Sequence, residues 1–340
     1  MRADGSASRA GASGEASGEM TENASRDGSA SRAGASGEAS GEMIEKCVVV
    51  MILLATLAAA PARAAGTFAS GRHEGRSYAL FTPSTPPVGP LVVALHGCWQ
   101  TPEDFALGTR LNDVAERRGL VVVYPAQSRR DNAYRCWNWF ADEASPAAGE
   151  VGEILALARR VQTERGLRDP HLVVLGFSAG GFMAVNLACA APRVVTGIGV
   201  MAGGAYRCGV GSTGAIQCMR GLGAEPGVSA AACLRAAGLT TLPLRASLWQ
   251  GNADAVVSPL NLSALEAMLA RALGASSATT EPAEGAVHAV HRDARGHPRL
   301  ETWLVPGMGH AWSGGEARGT HTYPPGPPAT ERMLDFLLGR

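Results

Sequence analysis

Residues 176–180 read Gly-Phe-Ser-Ala-Gly, a G-x-S-x-G motif that occurs once in the chain. Alone it is weak, because the chain holds 43 glycines. Its setting gives it force. The apolar run His171–Leu175 precedes it, and Gly181 with a helical stretch to about Cys189 follows. A serine on so sharp a strand-to-helix turn is strained and exposed, and its flanking positions must lack side chains for the helix to approach the strand. A chain built around that turn is committed to strands feeding directly into helices.

The rest of the chain repeats that unit. Leu91–Leu95, Leu120–Tyr124, Val195–Met201 and Leu242–Trp249 are short apolar runs of strand length. Thr101 with Pro102 opens a helix, as N-cap and first helical residue, that runs to near Gly119. Further helices are expected over Gly149–Arg165, from Ser258-Pro259, and over Thr330–Leu338. Val287–Arg292 and Leu300–Val305 read as a hairpin around Asp293-Ala294-Arg295-Gly296. Residues 125–148 form a long loop, and 203–240 read as an insertion. Alternating strands and helices predict an α/β fold, a mainly parallel sheet with helices on both faces in a single domain.

The amino end stands apart. Residues 5–20 and 28–43 are the same sixteen letters, rich in Gly, Ser, Ala and Glu, and cannot build a core. Then come Lys46, an apolar run from Cys47 to Ala60, and Pro61-Ala62-Arg63-Ala64. That layout is a secretory leader, too short to span a membrane. The expected organisation is a low-complexity segment over 1–42, a signal peptide over 43–64 with Met43 as the start, and a catalytic domain over 65–340. A secreted monomer without a stable membrane anchor follows.

Beyond the leader six cysteines remain: Cys98, Cys136, Cys189, Cys208, Cys218 and Cys233. An even number in an exported chain favours disulfides, with fifteen complete pairings open. No C-x-x-C or paired His–Cys spacing supports zinc, so no metal and no cofactor are expected. The 30 basic residues balance 30 acidic ones, which argues against a nucleic-acid partner.

Serine needs a base, and the base needs an acid to orient it. Asp254 lies just past the run ending at Trp249, and His310 lies in the glycine-rich stretch 307–315 after the last apolar run. The order Ser178, Asp254, His310 is the one an elbow of this kind uses. His288, His291 and His297 read as solvated strand or turn residues. Acyl transfer also needs two backbone N–H groups aimed at the developing oxyanion. Ala179, next after the serine, supplies one. The loop after Leu91–Leu95 supplies the other, at Cys98, with Trp99 as the alternative. His96 shapes that loop.

The segments LHGCWQTPEDF, CWNWF, GFSAGG, GNADAVV and GMGHAWSGG resemble the poly(3-hydroxybutyrate) depolymerase family of α/β-hydrolase esterases, from about residue 78 to 338. The resemblance implies secreted, metal-free hydrolysis of aliphatic polyester or related esters through an acyl-enzyme on Ser178. Asp254 would orient, His310 would act as base, and Cys98 N–H would line the oxyanion hole. Trp99, Trp137, Trp139 and Tyr206 either form an apolar acyl-binding surface beside the serine or pack as core or loop residues, with Trp137 and Trp139 sharing one face if the segment is extended. A Cys98–Cys136 bridge would tether that segment to the oxyanion loop. The family grades into feruloyl and acetylxylan esterases, which is the second reading. A catalytically silent hydrolase fold that binds apolar ligands is the third.

Overall fold

The computed structural model describes residues 66–141 and 148–339. The repeated segment 1–42, the leader 43–64 and Cys47 lie outside them.

The apolar runs become the centre of a ten-stranded sheet. Its strands are β1 (Thr67–His73), β2 (Arg76–Thr82), β3 (Leu91–Leu95), β4 (Val122–Pro125), β5 (Leu172–Phe177), β6 (Val195–Met201), β7 (Arg245–Gly251), β8 (Ala275–Ala283), β9 (Ala286–Asp293) and β10 (Pro298–Val305). The spatial order is β1-β2-β4-β3-β5-β6-β7-β10-β9-β8. The six central strands from β4 to β10 run parallel. Antiparallel β1–β2 and β9–β8 form the two edges. All of Leu91–Leu95 is buried, as parallel strands covered on both faces must be.

Helices cover both faces. On one, Val93, Val174, Ile198 and Leu248 pack with α3 (Gly149–Glu164), α4 (Ala179–Ala190) and α7 (Leu260–Ala272). On the other, Val92, Val173, Leu175 and Trp249 pack with α1 (Pro102–Thr109), α2 (Leu111–Arg118) and α8 (Ala329–Leu338). Each fully buried Val, Leu or Phe side chain contributes roughly 1.5–3 kcal/mol. The α/β reading with helices on both faces therefore holds.

One expectation is corrected, and one segment left open by the sequence is defined. The single helix from Thr101 to Gly119 is two helices, broken at Arg110, whose φ is 55°. The carbonyls of Gly108 and Thr109 instead accept Glu316 N and Thr330 Oγ1 from the C-terminal part of the chain. The insertion 203–240 is also structured, as α5 (Gly211–Met219) and α6 (Pro226–Ala237). Disulfides pin it: Cys208–Cys218 within it and Cys189–Cys233 to α4. The third bridge is Cys98–Cys136, as expected.

Candidate active site

The elbow is shaped by sterics. A Cβ on Gly176 would lie 2.1 Å from Gly180 O, and one on Gly180 would lie 2.1 Å from Leu95 O. Neither position tolerates a side chain, so both outer glycines of the motif are required by contact. Between them Ser178 holds φ 53° and ψ −122°, outside the favoured regions for a residue with a Cβ. Its N–H donates to Met201 O on β6, and its carbonyl accepts the first bond of α4 from Phe182 N. The serine is thereby clamped from both neighbours at the carboxyl edge of the sheet.

The acid and the base arrive on loops stitched to each other. Asn252 N donates to Val305 O, Ala253 N to Met308 O, and Gly307 N to Asn252 Oδ1. Gly251 permits this approach, since a Cβ there would lie 2.1 Å from Met308 O. The result brings the three residues together. His310 Nδ1 lies 2.7 Å from Asp254 Oδ2, and His310 Nε2 lies 2.9 Å from Ser178 Oγ. A carboxylate only accepts, so the ring proton is on Nδ1 and Nε2 is free to accept from the hydroxyl.

Asp254 is held on every lone pair. Its Oδ1 accepts from Val256 N at 2.8 Å and Val257 N at 2.9 Å, and its Oδ2 accepts from Gln250 Nε2 at 2.9 Å as well as from His310. Burial pushes its carboxyl pKa up. The His310 hydrogen bond and the two backbone N–H groups outweigh that, so the net shift is downward. Gln250 is buried at the end of β7 and was not singled out from the sequence. A glutamine closing an apolar strand carries no motif.

The oxyanion loop follows β3. Trp99 N donates to Tyr134 O at 2.7 Å, so that N–H is spent. The N–H groups of Cys98 and Ala179 have no acceptor among the described residues. Of the two N–H groups that the sequence offers on this loop, that of Cys98 is thus the unspent one. His96 lies beneath. Its Nδ1 donates to Gly97 O and its Nε2 accepts from Gln127 N at 3.1 Å. Burial pushes its pKa from 6.5 down to about 4, with Arg135 and Arg76 adding to the effect and the Gly97 carbonyl opposing it. Gln127 in turn bonds the half-buried Glu150, which also accepts from Asn138 N and Asn138 Nδ2.

The aromatic surface needs correction. Trp137 is 0% exposed, and its indole N–H donates to His96 O. Trp139 is stacked on Phe182 with centroids 4.0 Å apart, and Tyr206 is 4% exposed. These three are core and cannot line a substrate surface. The segment 136–140 is turned inward rather than laid out as one extended face, because Asn138 is anchored to Glu150 and Asn186 Nδ2 donates to Trp139 O. Trp99 alone of the four is open, 57% exposed, held at φ 67° on the oxyanion loop. It meets Tyr134 edge to face at 5.1 Å, a partner the sequence did not indicate. His288 and His291 are also largely buried, bonded to Glu301 and Glu266, rather than solvated.

A cleft of about 740 Å³ lies beside Arg76, Gln100 and Arg135, and none of Ser178, Asp254 and His310 lines it. No cluster of three or more His, Cys, Asp or Glu among the described residues could hold a metal.

The profile of the Esterase PHB depolymerase family matches residues 76–290, a stretch that includes Ser178 and Asp254 and stops before His310. Poly(3-hydroxyalkanoate) depolymerase C of Paucimonas lemoignei is 30% identical over 235 residues, 66% of this chain and 55% of that protein. Poly(3-hydroxybutyrate) depolymerase of Ralstonia pickettii is 28% identical over 264 residues, 69% of this chain and 51% of that protein. The chain thus spans about half the length of these curated relatives. Among solved structures, an acetyl xylan esterase from Aspergillus awamori shares the fold, with a TM-score of 0.64 at 18% identity over 72% of this chain and 94% of that one.

Proposed function

Since the chain belongs to the Esterase PHB depolymerase family, we propose that it is a secreted serine esterase cleaving aliphatic polyester or oligoester bonds of the poly(3-hydroxybutyrate) kind. The observation that carries this reading is the single imidazole of His310 in hydrogen-bond reach of both Ser178 Oγ and Asp254 Oδ2.

Ser178 Oγ attacks the ester carbonyl as His310 Nε2 takes its proton. Asp254 stabilises the imidazolium and keeps its proton on Nδ1. The developing oxyanion accepts from Cys98 N–H and Ala179 N–H. His310 then gives its proton to the departing alcohol, leaving an acyl-enzyme. Water enters the alcohol's place and attacks the acyl carbon as His310 takes its proton; the bond to Ser178 Oγ then breaks, His310 returns the proton to Oγ, and the acid leaves. The exposed Trp99–Tyr134 pair offers an apolar ledge beside the oxyanion loop. Three disulfides support an oxidising, extracellular setting. No helix among the described residues is long and apolar enough to cross a membrane.

A plant-polysaccharide reading has its own support. Feruloyl esterase B of Neurospora crassa is 30% identical over 145 residues, 40% of this chain and 48% of that protein. Parallel assays on amorphous polyhydroxybutyrate, its oligomers, and feruloylated or acetylated xylan separate the two, with Ser178→Ala as control. Release of hydroxy acid from the polyester or oligoester, abolished in Ser178→Ala, is expected. Turnover of xylan esters alone would replace the first reading with the second.

A further inference from the structure

The oxyanion loop follows β3 and the His310 loop follows β10, and three strands, β5, β6 and β7, separate them in the sheet. One buried side chain joins the oxyanion loop to the segment that follows the His310 loop. Gln100 Oε1 accepts from Gly97 N at 2.9 Å. Its Nε2 lies 3.1 Å from Asp104 Oδ2, 3.2 Å from Thr320 O and 3.2 Å from Thr320 Oγ1. The amide's orientation is forced, because an N–H can only donate and a carboxylate can only accept. Asp104 closes the cluster, accepting Thr320 N at 2.9 Å on Oδ1 and Thr320 Oγ1 on Oδ2.

One end of this cluster adjoins the oxyanion donor proposed above, and the other reaches His310 through His321 and Trp312. Gly97 immediately precedes Cys98, whose N–H is the oxyanion donor proposed above. Thr320 immediately precedes His321, whose carbonyl accepts from Trp312 N at 2.7 Å, and Trp312 is two residues beyond His310. The pair β11 (Trp312–Ser313) and β12 (Thr322–Tyr323) carries that link onward. Packing beneath is equally close. A Cβ on Gly319 would lie 2.3 Å from Gly108 Cα on α1, which fixes the distal loop against the helix that carries Asp104.

We propose that Gln100 is a positioning residue that locks the oxyanion donor and the base into one register by clamping residue 97 to residue 320. The inference rests on the serine-esterase reading above. A buried carboxamide that only filled space would be replaceable by an apolar side chain of its own length. A clamp would not, since a displacement of about 1 Å at a reacting centre can lower a rate roughly a hundredfold.

The test compares Gln100→Met, Thr320→Val and the double variant on p-nitrophenyl butyrate. Rates are normalised to sites titrated with a fluorophosphonate, and thermal unfolding is recorded alongside. Thr320 is exposed, so its substitution leaves the core intact. Gln100→Met should lower kcat roughly ten- to a hundredfold with KM within about twofold, because the loss is felt in the transition state. Thr320→Val should lower kcat in the same sense, and the double variant should be no worse than Gln100→Met alone. Inhibition by butylboronic acid, which forms a tetrahedral adduct, should weaken in parallel with kcat/KM. A wild-type kcat per titrated site in folded Gln100→Met, or losses that simply multiply in the double variant, would overturn the clamp while Ser178→Ala stays dead. Turnover surviving in Ser178→Ala would overturn the clamp and the esterase reading together.

Discussion

Lowering the pH should destabilise this protein through a histidine buried beneath the oxyanion loop. His96 is 1% exposed, and burial holds its folded pKa at about 4 against an ordinary value of 6.5. Between those values the unfolded chain binds a proton that the folded chain refuses. Stability is therefore whole above pH 6.5 and is lost as pH falls toward 4. A shift of this size is worth about 3 kcal/mol in full, and about 2 kcal/mol of it is lost between pH 7 and pH 5. Other groups titrate in the same range, so the comparison is with His96→Gln, whose carboxamide can accept from Gln127 N but cannot ionise. Urea unfolding at half-unit steps from pH 7 to pH 5 should show wild type losing about 2 kcal/mol more than the variant across that span. Parallel stability profiles for the two proteins would refute the claim that His96 is buried neutral beneath the oxyanion loop.

Four further outcomes follow from the same geometry. Asp254→Asn leaves the shape of the site but cannot hold the Nδ1 tautomer of His310, so kcat on p-nitrophenyl butyrate should fall by roughly four orders of magnitude; a loss under tenfold would show that Asp254 is not the orienting acid. Gly180→Ala places a methyl group 2.1 Å from the position of Leu95 O, and urea midpoints should record a destabilisation of about 3 kcal/mol, with an unchanged midpoint contradicting the contact. Trp139→Ala should destabilise by about 3–5 kcal/mol, as removal of a buried aromatic does. Trp99→Ala should instead raise KM for an oligoester roughly three- to tenfold with little change in stability, since one aromatic contact carries about 0.5–1.5 kcal/mol; equal effects on KM from both would restore the buried tryptophans to the substrate surface.

The three side chains of the candidate site were legible because each follows a strand in a recognisable way. Glycines crowd Ser178 and precede His310, and Asp254 follows an apolar run, so order and position could be read without contacts. The central strands were legible for the same reason that they are central: buried on both faces, they are unbroken apolar runs. The edges were not. β1 and β8 are mostly exposed, and β8 reads Ala-Ser-Ser-Ala-Thr-Thr-Glu-Pro-Ala, with neither alternation nor apolar content to mark it. The break at Arg110 depends on Glu316 and Thr330, some two hundred residues away in sequence. Trp137 and Trp139 misled because alternation describes a free extended strand, whereas Glu150 and Asn186 turn this segment into the core. Gln100, Gln127 and Gln250 were invisible for a related reason: a glutamine has no motif, and its role is set entirely by partners that folding brings to it.

The most direct measurement is to trap the covalent intermediate. The enzyme is mixed with p-nitrophenyl butyrate, quenched in acid within milliseconds to seconds, digested, and its peptides are weighed. One butyryl group on the peptide containing Ser178, appearing with a burst of p-nitrophenol and absent from Ser178→Ala, is the predicted result. Steady turnover with that peptide unmodified at every quench time, or with the butyryl group on another residue, would contradict nucleophilic attack by Ser178.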